Sequence, residues 1–336
     1  MKVLSLFDGI SAGQLALQRA GIVVDAYYAS EIDKYAISVT DKNFPNTIQL
    51  GDVTKWREWD IPWGEIDLVI GGSPCQGFSF AGKQLNFNDP RSALFFVFVD
   101  ICHRVADENP KMRFMLENVR MKKEYQDVIT GYFGVEPIAI NSSLVSAQNR
   151  YRLYWTNIPN VTQPDDCGIL LRDIILDDVD DKYYLTPEAI DYMSRLRNGK
   201  PRWEYHTNNL DGKAACLTAN MHKGVPYGVM RITGAAQRGR YLVDGKRADH
   251  TVESMSGMTE QRIEFREDGK SNCLTATNYD YCLYDGYICR KLTPIECERL
   301  QTFPDNWTEG ISNSQRYKAL GNSWTVDVVT HIFKNL

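Results

Sequence analysis

Gly71-Gly72-Ser73-Pro74-Cys75-Gln76-Gly77-Phe78-Ser79 sets a cysteine directly behind the apolar run Asp67–Ile70, among glycines and a proline that oppose regular structure. A thiol presented this way is open to reactants, and a thiolate adds to electron-poor carbon. The same placement also suits a packed thiol, and the segment alone leaves both readings open. Phe114-Met115-Leu116-Glu117-Asn118-Val119 puts a carboxylate at the end of another apolar run. Apolar neighbours there would favour the neutral acid and let Glu117 carry a proton. In Gln148-Asn149-Arg150-Tyr151-Arg152, alternation sends Gln148, Arg150 and Arg152 to one side of an extended segment. Three planar or forked donors on one face suit a ring carbonyl and a phosphate; a salt-bridged edge strand is the other reading.

Three more carboxylates stand just behind apolar runs: Asp8, Glu31 and Asp52. Carboxylates accept from ribose hydroxyls and from an α-ammonium group and repel a bare phosphate, so together they suit a nucleoside-bearing cofactor. These groups converge only if the runs before them are strands of one sheet, because ligands of open α/β sheets lie beyond the carboxyl ends of the strands. The first 160 residues fit that demand. Strands are expected at Val3–Phe7, Ala26–Ser30, Ile48–Leu50, Asp67–Ile70, Arg113–Leu116, Ile138–Asn141 and Tyr151–Ile158. Helices are expected at Lys34–Asn43, Ser92–Ala106 and Lys122–Tyr132, and another follows the turn Asp8-Gly9-Ile10-Ser11-Ala12-Gly13. This alternation predicts an α/β protein with a mainly parallel sheet.

After about residue 160, prolines and the acidic run Asp177-Asp178-Val179-Asp180-Asp181 mark a boundary. A turn-rich stretch follows, in which Asp211-Gly212-Lys213-Ala214-Ala215-Cys216-Leu217-Thr218-Ala219 returns as Asp268-Gly269-Lys270-Ser271-Asn272-Cys273-Leu274-Thr275-Ala276. Two copies are too few for a solenoid and are expected to form hairpin cores of a small β-rich domain. A helical pattern resumes after Arg290, and a last helix at Val326–Phe333 is expected to pack back on the first sheet.

At 336 residues, 43% hydrophobic and 24% charged, the chain buries a full core and is neither a disulfide scaffold nor disordered. No two of its eight cysteines form a C-x-x-C pair, so a metal framework is not expected. The net charge of −5 argues against a nonspecific nucleic-acid coat, but it is uneven. Residues 186–291 hold 16 basic and 13 acidic residues, a net of +3, which leaves −8 for the rest. The first residues lack a signal-peptide core, and no run is long enough to span a membrane.

These motifs together resemble the DNA (cytosine-5)-methyltransferase family, in the family's order: residues 6–13, Pro74-Cys75-Gln76, Glu117-Asn118-Val119, Gln148-Asn149-Arg150-Tyr151-Arg152, residues 290–304, and Tyr317-Lys318-Ala319-Leu320-Gly321-Asn322-Ser323. Asp8 departs from bacterial members, which more often have a small residue there. The resemblance implies a Rossmann-like S-adenosylmethionine-dependent sheet, with a catalytic domain over 1–185 and 291–336 and a β-rich target-recognition domain over 186–290. It implies Cys75 as nucleophile on cytosine C6, Glu117 on N3 and Arg152 on O2, with Gln148 and Arg150 beside them. S-adenosylmethionine would meet Phe7, Asp8, Gly9, Ile10, Gly13, Glu31, Ile32, Asp52, Val53, Pro74, Leu94, Asn322 and Ser323. The segment 76–91 would be a lid over a flipped base, with Gln76 and Ser79 touching DNA. Gln237, Arg238 and Arg240, read as a flexible glycine-flanked loop, would face base edges or phosphates. A cytoplasmic, monomeric enzyme of a bacterium or phage-infected host is expected, acting on duplex DNA; the sequence leaves open whether it works beside a cognate restriction endonuclease or as an orphan. The alternatives are a tRNA cytosine-5 methyltransferase and a catalytically silent DNA-binding paralogue.

Overall fold

Seven apolar runs of the first 160 residues form one sheet in the order β3-β2-β1-β4-β5-β7-β6. The structure, a computed structural model, describes residues 1–73, 93–202, 208, 210–240, 242–243, 246–247, 260–265, 283–284 and 287–336. The strands are β1 (Lys2–Leu6), β2 (Ala26–Ser30), β3 (Ile48–Gln49), β4 (Leu68–Gly71), β5 (Arg113–Val119), β6 (Ile138–Asn141) and β7 (Tyr151–Thr156). The first five pair in parallel, whereas β7 runs antiparallel to both β5 and β6. Two boundaries differ from expectation in ways that matter for the site. β1 stops at Leu6 because Phe7 adopts a left-handed φ of 58° and turns the chain out of the sheet. β5 continues to Val119 because β7 pairs with it that far, so Glu117 lies inside the strand, opposite Tyr154.

Four helices cover this sheet: α1 (Ala12–Arg19), α2 (Lys34–Asn43), α3 (Ala93–Glu108) and α4 (Lys123–Phe133). In α3, Phe95, Phe98, Val99, Cys102 and Val105 recur at helical spacing and are all buried against Leu4, Leu6, Val69, Leu116 and Trp155. Burial of each such side chain contributes about 1.5–3 kcal/mol. The chain closes with α6 (Pro294–Leu300), α7 (Asn313–Asn322) and α8 (Val326–Phe333), after a short α5 (Pro187–Ser194). The last helix returns to the first: Arg19 Nη1 reaches Asp327 Oδ1 at 2.7 Å and the Thr302 carbonyl at 2.6 Å.

Two compact units result. The first comprises Met1–Ile174, Lys213–Lys223 and Pro294–Leu336, and the second Ile175–Gly212 and Gly224–Thr293. The Lys213–Lys223 segment, which the turn-rich composition groups with the smaller domain, clusters with the first unit. The second unit carries β8 (Leu196–Arg197), β9 (Lys200–Pro201), β10 (Val229–Arg240), β11 (Leu242–Val243), β12 (Lys246–Arg247), β13 (Glu260–Phe265), β14 (Leu283–Tyr284) and β15 (Tyr287–Lys291). Its four-stranded sheet has the order β13-β10-β15-β14, and Leu185, Met193, Val229 and Cys289 form a small core.

Two expectations are corrected here. Gln237, Arg238 and Arg240 do not lie on a loop: they belong to β10, paired with Ile263, Arg262 and Glu260, because the antiparallel ladder takes up their backbone groups. The first copy of the repeat is not a hairpin. Ala214 makes a single bridge to Gln148, and the chain then runs irregularly into a 3₁₀ turn at Ala219–Lys223. The second copy, at 268–276, lies outside the described residues. Among the described residues no helix is long and apolar enough to cross a membrane.

Candidate active site

The carboxyl ends of the central strands open into a cavity of about 1280 Å³, every wall of which belongs to the first unit. One half is lined by Phe7, Asp8, Gly9, Ile10, Glu31, Ile32, Asp52, Val53, Leu94, Asn322 and Ser323, all expected from the sequence. Glu31 is held by local backbone: Oε1 accepts from the N–H of Ile32 (2.7 Å) and Asp33 (2.8 Å), and Oε2 from that of Gly9 (2.9 Å). The Asp52 carboxylate accepts from the Thr54 N–H at 2.9 Å and the Thr54 hydroxyl at 2.8 Å, and these bonds hold its pKa below the ordinary carboxylate value.

Two residues expected in this half are also tied to the fold. The Asp8 carboxylate is spent inward, accepting from the hydroxyls of Ser5 (2.6 Å), Tyr27 (2.7 Å) and Ser11, and its burial pushes its pKa up. It clamps the first loop while lining the cavity. Gly13 does not line the cavity. It sits buried in α1, where a Cβ would come within 2.5 Å of Ile70 Cδ1. Its lack of a side chain lets the helix approach β4.

The other half centres on Glu117 and Arg152, joined by an ion pair of 2.9 Å between Nε and Oε1. Glu117 is thus not surrounded by apolar groups alone, as expected. Burial of Arg152 works against its charge, but the Glu117 carboxylate together with Cys216 and Tyr154 outweighs that effect and the guanidinium's pKa is raised. Arg150 lines the cavity but donates to the carbonyls of Leu217 (2.9 Å), Gly321 (3.3 Å) and Ser323 (2.7 Å). Burial, and then repulsion by Arg152, lowers its pKa. Gln148 is fully buried and off the cavity wall. Its amide donates to the Leu300 carbonyl and accepts from the Leu217 N–H. The expectation that all three side chains offer donors to a ligand is therefore corrected: Arg152 faces the cavity, while Gln148 and Arg150 brace the backbone around it. Both side chains supply donors to buried carbonyls, which a folded interior requires. Pro74, Cys75, Gln76 and Ser79 lie outside the described residues.

The structure also adds residues to the wall. Cys216, Leu217, Thr218 and Ala219 line it, brought there by a close backbone approach at Gly321, where a Cβ would sit 2.2 Å from the Thr218 carbonyl carbon. Nothing in their local sequence signals this. Gln315, Lys318 and Ala319 join Asn322 along α7. Their spacing of three and four residues could have revealed that face. Trp324 directly follows the expected pair Asn322-Ser323 and lines the cavity too.

Comparison with known proteins identifies the family and the fold. The family model described as C-5 cytosine-specific DNA methylase matches residues 1–336. The chain is similar to the orphan methyltransferase M.SPRI of Bacillus phage SPR, with 29% identity over 100% of this chain and 97% of the relative. It is also similar to the Type II methyltransferase M.HpaII of Haemophilus parainfluenzae, with 29% identity over 97% of this chain and 86% of the relative. Among solved structures, the Entamoeba histolytica methyltransferase EhMeth shares the fold with a TM-score of 0.67 at 16% identity, over 100% of this chain and 97% of the other.

Proposed function

The chain belongs to the C-5 cytosine-specific DNA methylase family, and on that premise we propose that it methylates C5 of a flipped cytosine in duplex DNA, with S-adenosylmethionine as donor. The single observation that carries this reading is the cavity of about 1280 Å³, which joins a carboxylate-lined half to the Glu117–Arg152 half. A site for one small ligand spans roughly 300–1,000 Å³; this one has room for two reactants.

The residues present fit the donor. Glu31 and Asp52 offer carboxylate oxygens to ribose hydroxyls or an ammonium group, and Phe7, Ile32 and Leu94 offer apolar surface to a planar base. Val53, Gly9, Ile10, Asn322 and Ser323 complete that half, with Pro74 added from the sequence. Bound there, S-adenosylmethionine supplies an electrophilic methyl group.

The chain's own residues prepare the cytosine. Glu117 gives a proton to N3 while Arg152 donates to O2, which withdraws electron density from C6. The Cys75 thiolate then adds at C6, and the ring becomes an enamine with a nucleophilic C5. Once C5 is methylated, a base takes the C5 proton, Cys75 leaves C6 as thiolate and N3 returns its proton to Glu117, which restores the aromatic ring and the acid. Unstacking the base costs a few kcal/mol, offset by contacts in the pocket. Gln76 and Ser79 would contact DNA from the segment after the nucleophile, and β10, with Gln237, Arg238 and Arg240, would read sequence from the second unit. We place the enzyme in the cytoplasm as a monomer, acting either as an orphan or beside a cognate restriction endonuclease.

The test is to incubate the protein with tritiated S-adenosylmethionine and either duplex DNA or tRNA, then identify the labelled base. Labelled 5-methylcytosine from DNA is expected. Label from tRNA alone would transfer the activity to RNA, and label from neither would overturn the reading. Cys75→Ser should lower turnover roughly a thousandfold or more while DNA binding persists.

A further inference from the structure

Four cationic side chains line the cavity among the described residues: Arg120, Arg150, Arg152 and Lys318. Three of them are engaged by the protein itself. Arg150 donates to the carbonyls of Leu217, Gly321 and Ser323, Arg152 pairs with Glu117 at 2.9 Å, and Lys318 pairs with Asp33 at 2.7 Å. Arg120 differs. It is exposed, and among the described residues no carboxylate or carbonyl bonds its guanidinium. The contact it does make is with the Tyr151 ring, whose centroid lies 5.7 Å from Cζ.

The sheet puts this pair beside the reacting groups. Arg120 directly follows β5, three residues after Glu117, and Tyr151 opens β7 next to Arg152. Val119 and Arg152 are partners in the ladder between the two strands, which draws these strand ends together. Both residues line the cavity, and Tyr151 keeps 43% of its surface exposed, so they stand at the open rim of the Glu117–Arg152 half.

An unclaimed guanidinium on that rim selects an anion. A flipped cytosine whose ring reaches Glu117 and Arg152 brings its sugar and phosphodiester behind it, toward the rim. Two phosphate oxygens match the planar fork of an arginine, and contact with an aromatic ring restrains that fork before the ligand arrives. The donor's carboxylate is the other anion at hand, but the donor half lies along Glu31 and Asp52, behind β2 and β3.

We propose that Arg120, held by the Tyr151 ring, is a phosphate site for the DNA strand that delivers the cytosine, taking the phosphodiester beside the flipped nucleotide. The site rests on the reading of the Glu117–Arg152 half as the berth of that base.

The experiment measures binding to a mixed-sequence duplex across a salt series. Arg120→Gln should raise Kd about tenfold, the worth of one charge-assisted hydrogen bond. The slope of log affinity against log salt should fall in magnitude by about 0.9, the share of one neutralised phosphate. Tyr151→Leu should raise Kd about threefold, as an exposed cation–π contact allows. Kd for S-adenosylmethionine should stay within about twofold in both variants. A second duplex, in which the phosphates flanking cytosine are uncharged methylphosphonates, locates the contact. On it the gap between wild type and Arg120→Gln should shrink below about twofold, because the anion that Arg120 serves is gone. An unchanged affinity and salt slope, a gap that persists on the uncharged duplex, or weakened donor binding with DNA binding intact would each overturn the proposal. Wild-type protein assayed alongside for methyl transfer separates the two claims. Active wild type with an unaffected Arg120→Gln defeats only the phosphate site, whereas wild type that methylates no cytosine in DNA defeats the functional reading and this site with it.

Discussion

The two halves of the cavity are held by different kinds of contact. In the donor half, Glu31 bonds the N–H groups of its next two neighbours and Asp52 bonds Thr54 two residues on. In the half around Glu117, Arg150 reaches carbonyls 67, 171 and 173 residues away, and Gln148 spans 69 and 152. Mostly short-range bonds shape the donor half, with the Gly9 N–H tying Glu31 Oε2 to the first loop. Long-range bonds make the other half conditional on the whole first unit being folded. Buried Arg150 serves as scaffold beside Glu117, whereas Glu31 and Asp52 present carboxylates to the cavity.

Substitutions can break that contrast. The largest effect is expected for Arg150→Ala, which takes a charged donor from three buried carbonyls and should cost about 3 kcal/mol in urea unfolding. A loss below about 1 kcal/mol would mean that the arginine does not brace the unit. Next is Glu31→Gln, which should weaken S-adenosylmethionine about tenfold by calorimetric titration while stability moves by less than about 1 kcal/mol. A stability loss as large as that of Arg150→Ala would erase the distinction between the halves.

The smallest effect concerns the rim, where Asp33 Oδ2 meets Lys318 Nζ at 2.7 Å. Burial opposes ionisation of Asp33, but the Lys318 ammonium and the Tyr35 N–H outweigh it, and its pKa is lowered. A lowered carboxylate pKa contributes stability above the unfolded value that disappears as pH falls through the folded one. Asp33→Asn should therefore cost about 0.5 kcal/mol at pH 7 and nothing once the wild-type carboxylate is protonated. Melting curves at both pH values check this, and a cost independent of pH would contradict it.

Much of the fold was legible because its signals are local. β2, β6, α2 and the last helix fall where periodicity places them. The register of β1 shifted by one residue because the left-handed Phe7 is set by the loop that follows, which no propensity reports. The reading of Gln148, Arg150 and Arg152 as a row of ligand donors had the alternation right and the neighbours missing. Period-2 geometry says which side a residue faces, but not that the backbone of Leu217 and Ser323 will be waiting there. The approach of Cys216–Ala219 rests on Gly321, a contact of about a hundred residues' separation that leaves no local trace.

By itself, the order of motifs along the chain determined the family, the parallel sheet and the residue types at the strand ends, because strand, turn and helix preferences act over a few neighbours. Only the tertiary structure decided which of those polar side chains face the cavity. A buried guanidinium or amide takes whatever unpaired carbonyl packing brings to it, and packing joins residues that the sequence keeps far apart.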